Sequence, residues 1–265
     1  MRTIVITGGA SGLGRGIAAN FAKVGERVIA IGSSAKVAAD FPESAVYIQA
    51  DLSLVSENLR VVNEIKARFP VVDMLIFCAS RHCKEYIETA EGFEFSFALD
   101  YLSRFILSHG LKESLEAAEN PAILNICGTG MGGAVNWDDL QHKNSFVPQK
   151  VMMHGSRLND LSAVAFAKND KVSKIKYILY NPMAVKTPGM MEFSGVAMKF
   201  IYKIMGKSIE QAAAIISELL ENPPEAPLAA YRQRKPLSLA KPTYSPENAE
   251  RLYGMTKELL ENFGL

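Results

Sequence analysis

The sequence has little of what marks several classes of protein. Its 29 Lys and Arg balance 28 Asp and Glu, so a net charge of +1 offers no electrostatic case for nucleic acid. The three cysteines have no metal-ligand spacing, and no metal site is expected. No run of 18 apolar residues occurs, which argues against a membrane-spanning helix. There is also no internal repeat and no low-complexity linker.

The cysteines and the first residues favour a cytoplasmic protein. Cys78 and Cys127 lie in strand-like apolar runs, so we expect buried free thiols, which suit a reducing compartment. The first strand begins by Ile4, which leaves no room for a signal peptide before it. With 265 residues, 48% of them hydrophobic, the chain can form one large α/β domain.

The most informative stretch is T-G-G-A-S-G-L-G at residues 7–14. The apolar run 4–6 before it predicts a short buried strand, and the amphipathic run 17–22 after it predicts a helix. This order forms a phosphate cradle, because glycines let a pyrophosphate approach the backbone and the helix N-terminus offers free N–H groups. The residues expected to contact the nucleotide here are Thr7, Gly8, Ser11, Gly12, Leu13 and Gly14.

The spacing T-G-x-x-x-G-x-G resembles the nucleotide-binding signature of the short-chain dehydrogenases/reductases. Residues 97–107, the W-D-D-L segment at 137–140 and the P-E-N-A-E-R-L-Y run from Pro246 resemble the retinol-dehydrogenase-like branch of that family. The resemblance covers nearly the whole chain. It implies a single Rossmann-type α/β domain over residues 1–265, with a doubly wound parallel sheet, a small helical substrate lid and NAD(P) as cofactor.

The end of the second strand, residues 28–32, bears on the choice of cofactor. In dinucleotide folds an acid there binds the adenosine ribose and repels a 2′-phosphate. Here Ser33 and Ser34 take that place and Lys36 follows, which favours NADP over NAD. The alternative interpretation is that these residues only form a turn.

The third strand, residues 45–50, leads into a turn with two interpretations. Asp51-Leu52-Ser53 resembles the adenine-contacting turn of the family, so Asp51 and Leu52 are expected to contact the cofactor. Ser53 also suits the N-cap of a helix that runs to about Phe69.

The resemblance implies cofactor contacts after two later strands as well. Where the family usually has Asn-Asn-Ala-Gly, residues 77–80 read F-C-A-S, so the alanine alone is kept. The N-P-M-A-V-K-T segment at 181–187 resembles the loop over the nicotinamide, with Met183 in place of a glycine. The contacts implied by these two segments are Cys78, Ala79, Ser80, Pro182, Val185 and Thr187.

The four positions that carry the chemistry of the family are all changed. Its Asn, Ser, Tyr and Lys correspond to Asp100, Gly128, Met153 and Arg157. Methionine has no proton to give and glycine has no side chain. Arginine stays protonated, although it can bind ribose hydroxyls or an oxyanion. Since general acid–base catalysis contributes roughly 10²–10⁴-fold, ordinary carbonyl reduction should be severely weakened.

Other side chains are candidates to replace the lost groups. The hydroxyl of Thr129 can reach the site from one residue after the lost serine. His82 and His154 can titrate near neutrality, although a structural histidine is the plainer interpretation of each. Asp100 and Arg157 can also form a buried ion pair, which would be structural.

Residues 188–225 are expected to cap the substrate within the domain. Residues 188–207 are rich in methionine and aromatic residues and predict a pliable lid helix. A basic stripe on that helix suggests docking on an anionic membrane surface as a less favoured alternative. The stripe consists of Lys199, Lys203 and Lys207.

Three functions remain open from the sequence. We favour an atypical oxidoreductase that acts on a small apolar carbonyl or alcohol metabolite. The alternatives are a non-redox catalyst such as a cyclase, isomerase or lyase, and a catalytically inactive NAD(P)-binding sensor or partner subunit. The resemblance also allows a homodimer through the helices near 90–118 and 149–168, although some branches of the family are monomeric.

Overall fold

The computed structural model describes residues 1–169, 173–193, 195, 199 and 203–264. In these residues eight strands form one sheet in the order β3-β2-β1-β4-β5-β6-β7-β8. All neighbouring strands run parallel except β8, which pairs antiparallel with β7. This order confirms the predicted doubly wound α/β sheet. The strands are β1 Thr3–Thr7, β2 Arg27–Gly32, β3 Val46–Gln49, β4 Met74–Phe77, β5 Ala122–Ile126, β6 Lys176–Asn181, β7 Leu228–Arg232 and β8 Lys235–Pro236.

Helices cover both faces of the sheet. None of those described is long and apolar enough to cross a membrane. Their bounds are α1 Gly12–Lys23, α2 Val55–Arg68, α3 Phe95–Phe97, α4 Ser103–Gly110, α5 Lys112–Glu116, α6 Pro148–Asn169, α7 Pro188–Phe193, α8 Ile209–Glu221 and α9 Pro246–Leu260. A π-helical segment, Ala98–Leu102, joins α3 to α4, and short 3-10 turns flank α9.

The central strands are buried on both faces. In β1, Ile4 and Ile6 face the layer formed by α1 and α8, whereas Val5 faces the opposite layer. None of the three has any solvent exposure. Alternate residues of a strand point to opposite faces, so a parallel sheet covered twice requires an uninterrupted apolar run. The short apolar runs predicted as strands have this character.

Parallel pairing brings the carboxyl ends of the central strands to one edge. Thr7 lies opposite Phe77, Phe77 opposite Asn125, and Asn125 opposite Leu179. The segments that follow these residues therefore meet along that edge. They include the glycine turn and the three loops in which the resemblance implies functional residues.

The predicted helix over residues 90–118 is interrupted. It begins at Phe95, widens into the π-helical segment around Asp100, and is broken again before Lys112. At the widened turn, the side-chain amide of Asn159 on α6 donates a hydrogen bond to the Asp100 carbonyl at 2.8 Å. A donor from another helix supports a departure from α-helical geometry, and such segments are frequent at functional sites.

The predicted N-cap of α2 is wrong. The helix begins at Val55, and the Ser53 hydroxyl instead lies 2.7 Å from Oδ1 of Asp51. The backbone N–H groups of Val55 and Ser56 donate to the carboxylate of Glu91 at 2.5 and 3.1 Å. A carboxylate from a distant segment thus satisfies the helix end.

The predicted capping region, residues 188–225, divides into two parts. Its C-terminal part, α8, packs on α1 and not over the cleft. A Cβ atom on Gly16 of α1 would lie 2.7 Å from Cγ2 of Ile209. The described residues that border the cleft belong to the first part, chiefly α7. Positions 194, 196–198 and 200–202 of the predicted lid helix lie outside the described residues.

The C-terminal helix α9 covers the surface between α4 and α6. The Tyr101 hydroxyl lies 2.5 Å from Oγ1 of Thr256, and the ring of Tyr253 lies 5.7 Å from that of Phe105. This surface includes the helices through which the resemblance allows a homodimer. In the described residues α9 occupies part of this surface, and a homodimer remains a prediction.

The strands β7 and β8 were not predicted. They form the end of the sheet beyond β6. The β7 run is only five residues long and follows a proline-rich loop, so its pattern is weak. Its place in the sheet comes from parallel pairing with β6.

Candidate functional site

A cleft of about 1100 Å³ opens at the carboxyl edge of the sheet. Its walls include residues of the glycine turn, the loops after β4, β5 and β6, and parts of α6 and α7. Among the predicted catalytic residues, those at the wall are His82, Asp100, Gly128, Met153 and His154. The predicted cofactor contacts Cys78, Ala79, Ser80, Pro182, Val185 and Thr187 also border it.

Several predicted residues do not border the cleft. Thr7 is buried beneath the glycine turn, and Leu52 is buried after β3 beside the exposed Asp51. Thr129 and Arg157 lie behind the wall. The contacts of each of these residues decide whether its predicted role is possible.

The glycine turn closes tightly against the end of β4. Gly8 has a φ of +66°, and a Cβ atom there would lie 2.7 Å from the Ala79 nitrogen. A Cβ on Gly14 would collide with the Gly8 carbonyl. Oγ1 of Thr7 accepts hydrogen bonds from the Cys78 and Ala79 nitrogens, both at 3.2 Å. Only glycine permits both the conformation and this approach.

The cradle fits an anionic ligand. Ser11 precedes α1 without a side-chain cap, and the first turn of that helix carries no acidic residue. The N-terminal N–H groups therefore point toward open space with the positive end of the helix dipole. Across the cleft, Cγ2 of Thr187 would lie 3.9 Å from a Cβ on Gly12, so the loop after β6 faces this turn. The arrangement suits the pyrophosphate of a dinucleotide.

The end of β2 offers hydroxyl groups and a cation. Ser33 and Ser34 are exposed, and their hydroxyls make no hydrogen bond to the described residues. The Tyr47 hydroxyl supports this turn at 2.7 Å from the Ser34 carbonyl. Arg15, directly after the glycine turn, lies 2.5 Å from the largely exposed Asp40. No acid follows β2 directly, as the sequence indicated.

A buried cation lies beneath the cleft. Arg104 is 4% exposed and donates hydrogen bonds to the carbonyls of Ala79 at 3.1 Å and Ile126 at 2.9 Å. It also donates to Oδ1 of Asn125. One guanidinium therefore ties the ends of β4 and β5 to α4. Sequence reasoning missed this residue, although its position four residues after Asp100 placed both on one helix face.

Asp100 carries the one acidic group among the four changed positions. Its Oδ1 finds no hydrogen-bond partner in the described residues and lies 4.0 Å from Nη2 of Arg104. Burial raises the pKa of the Asp100 carboxyl. The charges of Arg104 and His82 and a hydrogen bond with Ser80 offset this rise only in part. Burial thus favours the protonated acid, which can donate a proton.

Arg157 is engaged in the interior. It is 2% exposed, and its Nη2 lies 2.9 Å from Oδ2 of Asp160 and 3.0 Å from the Gly128 carbonyl. The expected ion pair with Asp100 is therefore wrong. An acid three residues later on the same helix captures the guanidinium and turns it from the cleft. Its predicted contact with the cofactor ribose finds no support in this geometry.

The loop after β5 does not bring the Thr129 hydroxyl to the cleft. Thr129 is fully buried, and its hydroxyl lies 2.8 Å from the Tyr244 hydroxyl, so its predicted reach into the site is wrong. Gly128 and Met153 line the cleft, as the alignment of the lost positions implied. Neither side chain can exchange a proton.

The two candidate histidines differ in environment. His154 is 5% exposed and meets His142 edge to face, with ring centroids 4.7 Å apart. Burial lowers the pKa of His154 to about 4, so its imidazole is neutral at pH 7. His82 is partly exposed and packs on Phe193 of α7 at 5.2 Å. Of the two candidates, His82 is therefore the histidine that is in contact with solvent at the cleft wall.

A buried amide network was also missed by sequence reasoning. Nδ2 of Asn125 donates to Oδ1 of Asn159 at 2.8 Å and to the Tyr177 hydroxyl at 3.1 Å. Asn159 in turn bonds the carbonyls of Asp100 and Gly155, both at 2.8 Å. An asparagine inside the apolar β5 run is a detectable signal, because a buried amide needs partners. The sequence does not show which residues those partners are.

The three cysteines are free, as predicted. Cys83 is buried, whereas Cys78 and Cys127 are partly exposed where they border the cleft, which corrects the expectation of burial. Within the described residues no three His, Cys, Asp or Glu side chains are grouped to hold a metal ion.

Comparison of the sequence with known proteins agrees with this geometry. A family model for short chain dehydrogenase matches residues 2–137, half of the chain. An uncharacterised oxidoreductase of Saccharomyces cerevisiae is 27% identical over 193 residues, which are 69% of this chain and 61% of that protein. Human retinol dehydrogenase 14 is 26% identical over 212 residues, 70% of this chain. The match spans 62% of the human protein, so this chain accounts for about three fifths of each relative.

Solved structures share the fold. An uncharacterised protein of Mycobacterium paratuberculosis superposes with a TM-score of 0.75 at 18% identity, covering 98% of this chain and 94% of that one. A 3-ketoacyl-(acyl-carrier-protein) reductase of Brucella melitensis, complexed with NADH, superposes with a TM-score of 0.65 at 22% identity. That match covers 87% of this chain and 96% of the reductase.

The ion pair of Arg157 and Asp160 predicts a large effect on stability. Arg157→Met leaves a fully buried carboxylate without its cation, and we expect a loss of about 3–5 kcal/mol in the free energy of unfolding. Urea denaturation measures it. The matched control is Arg234→Met, whose ion pair with Glu218 is exposed, with an expected loss below about 1 kcal/mol. If the two variants lose the same free energy of unfolding, the buried ion pair of Arg157 and Asp160 does not have this effect on stability.

The depressed pKa of His154 predicts acid sensitivity. Since its folded pKa of about 4 lies below the unfolded value of 6.5, its contribution to stability is present above pH 6.5 and is lost as the pH falls toward 4. The loss approaches about 3 kcal/mol on complete protonation. Denaturation midpoints between pH 7 and 4.5 should fall less steeply in His154→Gln, whereas His82→Gln should follow the wild type. If the denaturation midpoints of all three proteins fall equally with pH, His154 is not the origin of the acid sensitivity.

Proposed function

This chain belongs to the short-chain dehydrogenase family, and on that premise we propose that it is an NAD(P)(H)-dependent oxidoreductase with a non-standard active site. Its substrate is a small apolar carbonyl or alcohol metabolite. One observation carries the proposal. The glycine cradle and a buried carboxyl with a raised pKa, that of Asp100, open into the same cleft.

The cofactor is NADP in preference to NAD. Ser33 and Ser34 offer unbonded hydroxyls at the end of β2, where a carboxylate would repel a 2′-phosphate. Lys36 and Arg15 add positive charge nearby. Arg15 is paired with the exposed Asp40, and a phosphate can compete for that guanidinium because exposed pairs are weak.

The side chains of this protein provide binding and the proton. When bound, the nicotinamide supplies the hydride. The Thr187 and Val185 loop faces the glycine turn and can hold the carboxamide of the cofactor. The protonated Asp100 carboxyl donates its proton to the substrate oxygen, which becomes the alcohol. Water then returns the proton at the side of the cleft where the partly exposed His82 lies, whose charge acts on Asp100.

An apolar substrate suits the remaining walls. Phe97, Leu140 and Val151 line the cleft from three different segments, and Met190 of α7 also borders it. Methionine adapts to irregular apolar shapes. We propose that residues 188–193 cap the substrate and that the whole chain works as one domain.

A nucleotide titration tests the cofactor assignment. We expect NADPH to bind at least tenfold more tightly than NADH, as followed by nicotinamide fluorescence. Ser33→Asp introduces a carboxylate beside the 2′-phosphate and should weaken NADPH binding about tenfold to a hundredfold, with little effect on NADH. Lys23→Glu, a change to acid at the other end of α1, is the control and should change neither. Failure of both nucleotides to bind would defeat the oxidoreductase and sensor functions together.

A second test addresses the proton donor. Asp100→Asn keeps the shape of the side chain but cannot supply the proton, so we expect kcat for NADPH-dependent reduction to fall roughly 10²–10⁴-fold. Binding of NADPH should not change. In the wild type, the rate of reduction should fall as the pH rises through the raised pKa of Asp100, because the acid form is required. The exposed Asp138→Asn serves as control, and a variant at residue 100 with full activity would exclude this role.

The same experiments separate the other functions. A protein that binds NADPH but turns over none of a panel of apolar carbonyl compounds is a sensor or partner subunit. Conversion of an apolar metabolite without oxidation of NADPH identifies a non-redox catalyst.

A further inference from the structure

The space beside Gly128 is already filled by another side chain. A Cβ atom built on Gly128 would lie 2.5 Å from Oγ of Ser156 and 3.2 Å from its Cβ. Real side chains do not approach so closely, so the hydroxymethyl group of Ser156 occupies the place of a side chain at position 128. Both residues line the cleft. The hydroxyl comes from α6 instead of the loop after β5.

The Ser156 hydroxyl is held but free to turn. Its oxygen accepts a hydrogen bond from the Gly128 nitrogen at 3.2 Å, and its proton points to the Met152 carbonyl at 3.2 Å. That carbonyl lies one helical turn earlier and also accepts the backbone N–H of residue 156. The proton can therefore rotate into the cleft without leaving the carbonyl unbonded. The bond from Gly128 meanwhile polarises the hydroxyl and strengthens it as a donor.

Ser156 lies on the same wall as the proposed acid. The side chain of Asn159 bonds the carbonyl of Asp100 and that of Gly155, the residue next to Ser156. This bridge holds the π-helical segment against one turn of α6. Asp100 and Ser156 therefore border the same cleft from two segments that are held together.

We propose that Ser156 is a catalytic residue whose hydroxyl donates a hydrogen bond to the carbonyl oxygen of an apolar ketone or aldehyde. The inference rests on the proposed function. As hydride reaches the carbonyl carbon, the C=O π pair moves to oxygen, which takes the Asp100 proton and yields the alcohol. Ser156 keeps its own proton throughout. Its hydrogen bond strengthens as charge grows on oxygen, which lowers the barrier.

The first test is removal of the hydroxyl. NADPH-dependent reduction of decanal and benzophenone should show a kcat about 10²–10³-fold lower in Ser156→Ala, with the KM for NADPH unchanged. Ser156→Thr keeps a hydroxyl and should retain activity within about tenfold of the wild type. The control is Ser103→Ala, since the Ser103 hydroxyl bonds the Leu99 carbonyl one turn earlier but does not border the cleft. This control should keep wild-type kcat.

The second test exchanges the two positions. Gly128→Ser alone forces two side chains into one space and should lower both the melting temperature and kcat. In Gly128→Ser/Ser156→Ala the space is free again and the hydroxyl returns from the other side. We expect the double variant to regain the melting temperature and to exceed Ser156→Ala in kcat by at least tenfold. If the double variant has neither a higher melting temperature nor a higher kcat than the single variants, the inference that the two side chains share one place is overturned.

A binding measurement separates this inference from the proposed function. Calorimetry on the protein with bound NADP⁺ should give tighter binding of benzophenone than of diphenylmethane, its carbonyl-free counterpart, and Ser156→Ala should remove the difference. This result without any turnover supports the contact and defeats the oxidoreductase. Full turnover in Ser156→Ala overturns the inference and leaves the oxidoreductase intact. Absence of both preference and turnover overturns both.

Discussion

A close approach between two backbone segments holds the functional edge of the sheet together. Gly8 and Gly14 meet each other and the end of β4 at distances that no side chain allows. Thr7 adds two hydrogen bonds across the same junction. The position of α1, and with it the direction of its N-terminal N–H groups, depends on this contact. Because the strands are parallel, every other loop of the cleft is placed relative to it.

Beneath that edge, buried polar groups hold the strand ends to the helices. Arg104 bonds the ends of β4 and β5, and Asn159 joins α6 to the widened turn around Asp100. Buried charges and amides are retained only with partners, so these contacts form a connected network. Among the described residues, Oδ1 of Asp100 and Nε of Arg104 are buried in this network without a hydrogen-bond partner. The unpaired carboxyl oxygen belongs to a residue that borders the cleft, which is where chemistry is expected.

Loss of the usual side chains has not left empty space. The hydroxymethyl group of Ser156 fills the position beside Gly128, and Asp160 captures the guanidinium of Arg157. Both replacements come from α6, where Ser156 follows the changed position Met153 by three residues and Asp160 follows Arg157 by three. Neighbours at that spacing share a helix face, so one helix can compensate for several substitutions at once. The cleft thus remains shaped and polar at one wall, although the residues that make it so have changed.

The sequence by itself determined the phosphate cradle, the order of the early strands and the absence of a tyrosine or serine at the usual positions. These follow from local patterns, since a glycine turn between a strand and a helix has few alternatives. Tertiary structure alone decided that Arg157 turns inward to Asp160, that Glu91 caps α2 and that α9 covers α4 and α6. Each of these contacts forms because the packing of the fold brings two groups within hydrogen-bond or van der Waals distance. A local sequence pattern does not show which groups will meet.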